Sequence, residues 1–143
     1  MGGLRRYWTI GLPLTGLLAS GCAEELGPER KETTRVVGVV REGRRPIGRG
    51  WVEFVPADGT VGNLRSAPLR PDGSFIADGV AVGVNRIGLT GAPLESPGGR
   101  NVFNPLTSQV RREIPRTPPG PLTIDVLEEV RLDAVAKASR GVR

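Results

Sequence analysis

Residues 35–56 read RVVGVVREGRRPIGRGWVEFVP, and the architecture of the chain follows from them. Val36, Val37, Val39 and Val40 are β-branched and favour an extended backbone, so Arg35–Arg41 reads as a strand. Glu42–Pro46 is a charged turn that contains Gly43. In Gly50–Pro56, Trp51, Glu53 and Val55 alternate with Val52 and Phe54. That is a period of two, with one apolar face and one half-polar face, the pattern of a half-buried strand. The two runs are expected to form the first hairpin of an all-β domain.

The same punctuation continues outward. Ala57–Gly62 is a loop around Asp58-Gly59, and Leu64–Leu69 is a short candidate strand. Pro71-Asp72-Gly73 is a strong turn signal, because proline presets φ and glycine accepts a positive φ. Ser74–Ala77 follows as a strand, with Asp78-Gly79 expected to break it. Val84–Leu89 puts Asn85, Ile87 and Leu89 on one face and Val84, Arg86 and Gly88 on the other. Gly91–Asn104 is loop-like. Ser108–Ile114 and Leu122–Leu127 complete about seven strands, the second with Leu122, Ile124 and Val126 on one face. Short strands at this spacing predict a sandwich or barrel. The residues from Glu128 onward form a polar tail, helical or disordered.

Composition narrows the chemistry. The 143 residues include no histidine and one cysteine. Histidine-based triads and histidine metal sites are therefore outside the reach of this chain. A single cysteine makes neither an internal disulfide nor a thiolate cluster. The 21 glycines and 13 prolines fit strand punctuation better than low complexity, since the sequence is varied and unrepetitive. Eighteen of the 20 basic residues are arginine, which we read first as genome composition.

Several of these segments resemble a carboxypeptidase regulatory-like domain. They are Val37-Gly38-Val39-Val40, the turn ending in Arg45-Pro46-Ile47, and Gly50–Pro56. Pro71-Asp72-Gly73-Ser74-Phe75 is similar to that family's DGSF turn, and Gly79–Leu89 to the strand after it. Asn85 stands where the family usually has an aromatic. The resemblance spans roughly residues 34–127 and is nearest to small lipoproteins of planctomycete-type bacteria. It implies a seven-stranded transthyretin-like (prealbumin-like) β-sandwich. A hydrolase of the same fold relies on histidines, which this chain lacks.

The N-terminus reads as an address. Arg5 and Arg6 precede an uncharged, mostly apolar run, Trp8–Leu18, and then small residues, as in a secretory signal. The run is too short to span a bilayer, which takes roughly 20 residues. Leu18-Ala19-Ser20-Gly21-Cys22 resembles a bacterial lipobox, with the preferred leucine one place early. The resemblance implies cleavage between Gly21 and Cys22 and acylation of the Cys22 thiol, the alternative being an ordinary secretory signal. Arg5-Arg6 also leaves twin-arginine export open. Removing the first 21 residues leaves 122, with a net charge near +3. Residues 22–33 are then a tether and 34–127 the sandwich. Ala23 is not the aspartate that retains some lipoproteins at an inner membrane. The expected location is the cell membrane or outer membrane, lipid-anchored on the exported side.

No catalytic residues, cofactor or metal are expected. Asp58, Asp72 and Asp78 lie near turns and suit turn formation better than Ca²⁺ ligation. Ser74 and Ser108 have no activating base. Arg44-Arg45 and Arg111-Arg112 read as a solvated face, and the aromatics are too few for a nucleic-acid footprint. Trp51 is the one candidate ligand contact. The expected function is a non-catalytic binding, scaffold or envelope-structural module. Its partners are membrane lipid through acylated Cys22 and an envelope protein or polysaccharide, with no nucleic acid. The alternative is a carbohydrate-binding accessory module, which requires an exposed Trp51 flanked by polar groups. A glycosidase using two facing carboxylates is the third reading.

Overall fold

The computed structural model describes residues 31–141. In Thr33–Glu42 (β1), Val36, Gly38, Val40 and Glu42 point inward, while Val37 and Val39 point out. One edge of β1 is shared. Ser74–Ala81 (β5) pairs antiparallel with its first part, and the two-residue Arg45–Pro46 (β2) pairs with its end. The other edge carries Leu122–Asp125 (β8) in parallel, with Gly38 opposite Leu122 and Val40 opposite Ile124. The second sheet is antiparallel throughout, in the order Arg65–Pro68 (β4), Trp51–Pro56 (β3), Gly83–Thr90 (β6), Arg111–Ile114 (β7). Prolines 46, 56 and 68 sit in the short edge strands or at strand ends, where a missing N–H costs no ladder bond.

The inner faces of the two sheets make the core. Val52, Phe54 and Ile87 from one sheet meet Val36, Val40, Phe75 and Ile124 from the other, all at most 2% exposed. The rings of Phe54 and Phe75 are 5.9 Å apart and tilted by 53°, a favourable aromatic geometry. Gly38 allows this packing: a Cβ there would lie 2.3 Å from the Leu122 carbonyl oxygen and 2.5 Å from the Phe75 ring. The segment after β6 closes one end of the sandwich. It contributes Leu94, Val102 and Phe103 to the core and includes a single helical turn, Gly99–Val102 (α1).

Val126–Arg140 (α2) follows β8 directly. Asp125 caps it, accepting the Leu127 N–H, and it also accepts the Gly43 N–H and pairs with Arg41. Glu128 and Glu129 occupy the first turn and Lys137 and Arg140 the last, each complementing the helix dipole. Glu128–Arg131 and Asp133–Lys137 ion pairs line its surface. Val126 is fully buried, whereas most of the helix lies on the surface. No helix among the described residues is long and apolar enough to cross a membrane.

The structure is a two-sheet β-sandwich, and it corrects several expectations in detail. Among the described residues there are eight strands and two helices, not seven strands. Asp78-Gly79 does not end β5. These two residues stand opposite the single residue Arg35, forming a bulge in which Gly79 takes a φ of +71°. Leu122–Leu127 is not one strand, because Val126 already belongs to the helix. Of the two alternatives for the tail from Glu128, the helix is the one present, as far as Arg140. The strand expected over Ser108–Ile114 begins only at Arg111, since the Ser108 hydroxyl binds the Ile87 carbonyl instead of extending the ladder.

Candidate functional site

Alternation along β3 turns Trp51 outward because Val52 and Phe54 fill the core. Trp51 is 48% exposed. Phe54, Phe75 and Phe103 are buried, so Trp51 is the exposed aromatic among the described residues. Its neighbours across the sheet are Pro68 on β4 and Thr90 on β6. One step further along the same face come Ser66, Glu53 and Gly88. The Thr90 hydroxyl donates to Glu53 Oε1 at 2.7 Å. An indole face beside a hydroxyl–carboxylate pair can stack on an apolar ring face and hydrogen-bond its polar edge. Trp51 thus has a proline on one side and a hydroxyl–carboxylate pair on the other.

The arginines singled out in the sequence are largely committed elsewhere. Arg45 pairs with Glu42 and Glu95, Arg111 with Asp58 at 2.9 Å, and Arg112 with Glu129. The turn aspartates are likewise separated. Asp58 pairs with Arg111, and Asp78 with Arg35 at 2.5 Å. Asp72 accepts the Ser74 N–H, a local turn contact. Ser108 donates to the Ile87 carbonyl and accepts the Val110 N–H. Among the described residues, no group of three acidic or thiol side chains converges as a metal site would need. Gly21 and Cys22 lie outside the described residues.

Sequence reasoning passed over Glu42, placing it in a solvated turn. It is 7% exposed. Its carboxylate accepts the N–H groups of Glu95 and Ser96, the latter at 2.7 Å, and pairs with Arg45. Burial pushes this carboxyl up. The N–H groups of Ser96 and Glu95 and the Arg45 guanidinium outweigh that and hold its pKa at about 2. Glu42 thereby ties the first hairpin to the loop after β6. Arg45 also lies 3.5 Å from the Glu95 carboxylate. Glu42 and Glu95 thus share one guanidinium, but a carboxyl held at about 2 is not a proton donor at neutral pH. The inward direction of Glu42 is readable from the alternation Val36, Val40, Glu42 along β1.

Asn85 is fully buried. Its amide donates to the carbonyls of Ala81 and Gly83 at 2.8 and 3.1 Å, so it braces the β5–β6 turn from inside. No family model, curated protein or solved structure matches this chain.

Proposed function

We propose that the chain is an exported lipoprotein whose β-sandwich is a non-catalytic binding, scaffold or envelope-structural module. Leu18-Ala19-Ser20-Gly21-Cys22 supports the anchor. Acylation there adds about 0.8 kcal/mol of membrane affinity per buried methylene, so two or three chains hold firmly. Ten residues separate Cys22 from the first strand residue, Thr33. At most about 3.5 Å per residue, that tether lets the sandwich stand a few nanometres off the bilayer. The first hairpin and the Pro71–Phe75 turn support a transthyretin-like identity for the sandwich.

The observation that carries the module reading is how the charged side chains are spent. Arg45, Arg111, Arg112, Asp58 and Asp78 are all used in ion pairs that join one segment to another. Such a surface serves as a scaffold. The alternative, a carbohydrate-binding accessory of the envelope, is favoured by the exposure of Trp51 beside the Glu53–Thr90 pair.

Intact-mass analysis of the membrane fraction tests the anchor. The expected product starts at Cys22 and carries acyl chains, and Cys22→Ser moves the protein to the soluble fraction. An unmodified Cys22 thiol or a retained Met1 overturns the anchor. A hydrolytic activity lost on deletion and restored by the purified protein overturns the non-catalytic role.

A further inference from the structure

We propose that the end of the sandwich around Trp51 binds an acidic polysaccharide, one whose rings carry carboxylates. The inference rests on the carbohydrate-binding reading of Trp51 and adds the charge of the ligand and the residues that read it.

Positive charge is spread unevenly over the molecule. Most arginines among the described residues hold a carboxylate or a backbone carbonyl. Arg44, Arg49, Arg70, Arg86 and Arg100 make neither an ion pair nor a side-chain hydrogen bond among those residues, and all but Arg86 are exposed. Arg86 lies on the Trp51 face of the sheet, opposite Val55, and its Nε is buried without a partner. The other four lie in the connections at one end of the sandwich, the end at which Trp51 stands.

Arg49, Arg70 and Arg100 flank Trp51. Arg49 is two residues before it. The Leu69 N–H donates to the Gly50 carbonyl at 2.9 Å, which continues β4 beside β3 and brings Arg70 alongside Arg49. Gly48 secures this approach, since a Cβ there would lie 2.4 Å from the Pro71 carbonyl oxygen. On the other side, Thr90 is the cross-strand neighbour of Trp51, and it lines a hollow of about 490 Å³ together with Arg100, Asn104 and Pro105. The carboxylates at this end are engaged. Asp72 accepts the Ser74 N–H and Glu95 faces Arg45. Glu53, two residues further along β3, accepts the Thr90 hydroxyl. The three guanidinia therefore leave a surplus of positive charge beside an exposed indole.

That combination selects the ligand. An indole stacks on the C–H face of a sugar ring, and a guanidinium forks onto a carboxylate. A neutral glycan would leave the arginines unused. A small anion would meet one of them at a time, because they stand on different chain segments and neighbouring strands are about 5 Å apart. A bilayer is disfavoured by position. The tether joins at Thr33, and the ten residues of β1 put about 33 Å between it and Glu42 at this end.

The test is biolayer interferometry on the purified protein, captured in detergent. The ligands are an oligogalacturonate, an oligomannuronate, the methyl ester of the first, and poly-L-glutamate of similar length. A uronate is expected to bind at least about tenfold more tightly than the ester or the polyglutamate. Arg49→Gln/Arg70→Gln/Arg100→Gln should weaken it about tenfold, at about twofold for each exposed charge contact. Trp51→Ala should weaken it about fivefold. The charge-matched variant Lys31→Gln/Arg35→Gln/Arg116→Gln, at the tether end, should change it less than about twofold. Equal binding of the ester overturns the acidic ligand and leaves a carbohydrate-binding module. Equal binding of polyglutamate, or no effect of Trp51→Ala, overturns the sugar. Equal losses in the two triple variants overturn the placement. No binding of any ligand overturns both this site and the carbohydrate reading.

Discussion

Replacing Glu42 by glutamine removes one charge from the junction of the first hairpin with the loop after β6, and leaves its shape almost unchanged. The native carboxylate receives two backbone N–H groups and a guanidinium, and its pKa falls from 4.5 to about 2. At about 1.4 kcal/mol per pH unit, that corresponds to roughly 3 kcal/mol of stability at pH 7. A glutamine offers one acceptor oxygen and turns an N–H₂ toward donors. The variant should therefore lose about 2–3 kcal/mol at neutral pH. The sign of the pH dependence is fixed. A group whose folded pKa is depressed stabilises the fold above its unfolded pKa, and that contribution fades as pH falls from 4.5 toward 2. At pH 3, less than half of the wild-type advantage should remain. Urea denaturation of a soluble form beginning at Ala23, followed by far-UV circular dichroism at pH 7, 4.5 and 3, reads this directly. A gap below about 0.5 kcal/mol at pH 7, or one that stays constant on acidification, would refute the assignment.

Asp125→Ala removes the cap of α2 together with the contacts to Gly43 and Arg41. It should cost about 1–2 kcal/mol and reduce helical ellipticity. Gly38→Ala drives a methyl against the Leu122 carbonyl and the Phe75 ring and should cost about 3 kcal/mol, whereas Gly120→Ala meets nothing within 4 Å and should leave the urea midpoint unchanged. In a chain cleaved before Cys22, Trp51 is the only tryptophan. At 48% exposure, its emission should be red-shifted and readily quenched by acrylamide, and a blue-shifted, protected emission would contradict its outward direction.

The strongest sequence signals were local ones. The valines of β1, the alternation in β3 and the Pro71–Gly73 turn each carry their message within seven residues, and each element lies where they put it. Where the structure differs, the cause is a partner far along the chain or a competing local pattern. Asp78-Gly79 looks like a terminator in isolation. It becomes a bulge only because β1 continues to bond on both sides of it. Leu122, Ile124 and Val126 fit a period of two, which hid the helix-start signal of Asp125 followed three residues later by Glu128. The outward direction of Trp51 was legible from alternation. The binding of Glu42 by the N–H groups of Glu95 and Ser96 was not, because a loop more than 50 residues away supplies them.

The pairing of β1 with β8 has a consequence for how the chain matures. β1 is the first described strand to be synthesised and β8 the last, and the bond from the Gly43 N–H to Asp125 links positions 82 residues apart. Parallel pairing over such a span is reached late, because the entropy of closing the loop must be lost before any contact repays it. Until the C-terminal residues emerge, Val40 lacks Ile124 beside it and one edge of β1 stays open. A chain threaded through a membrane from its N-terminus would thus remain pliable for nearly the whole passage. Its sandwich would lock only on release, when the final strand slides in beside the first.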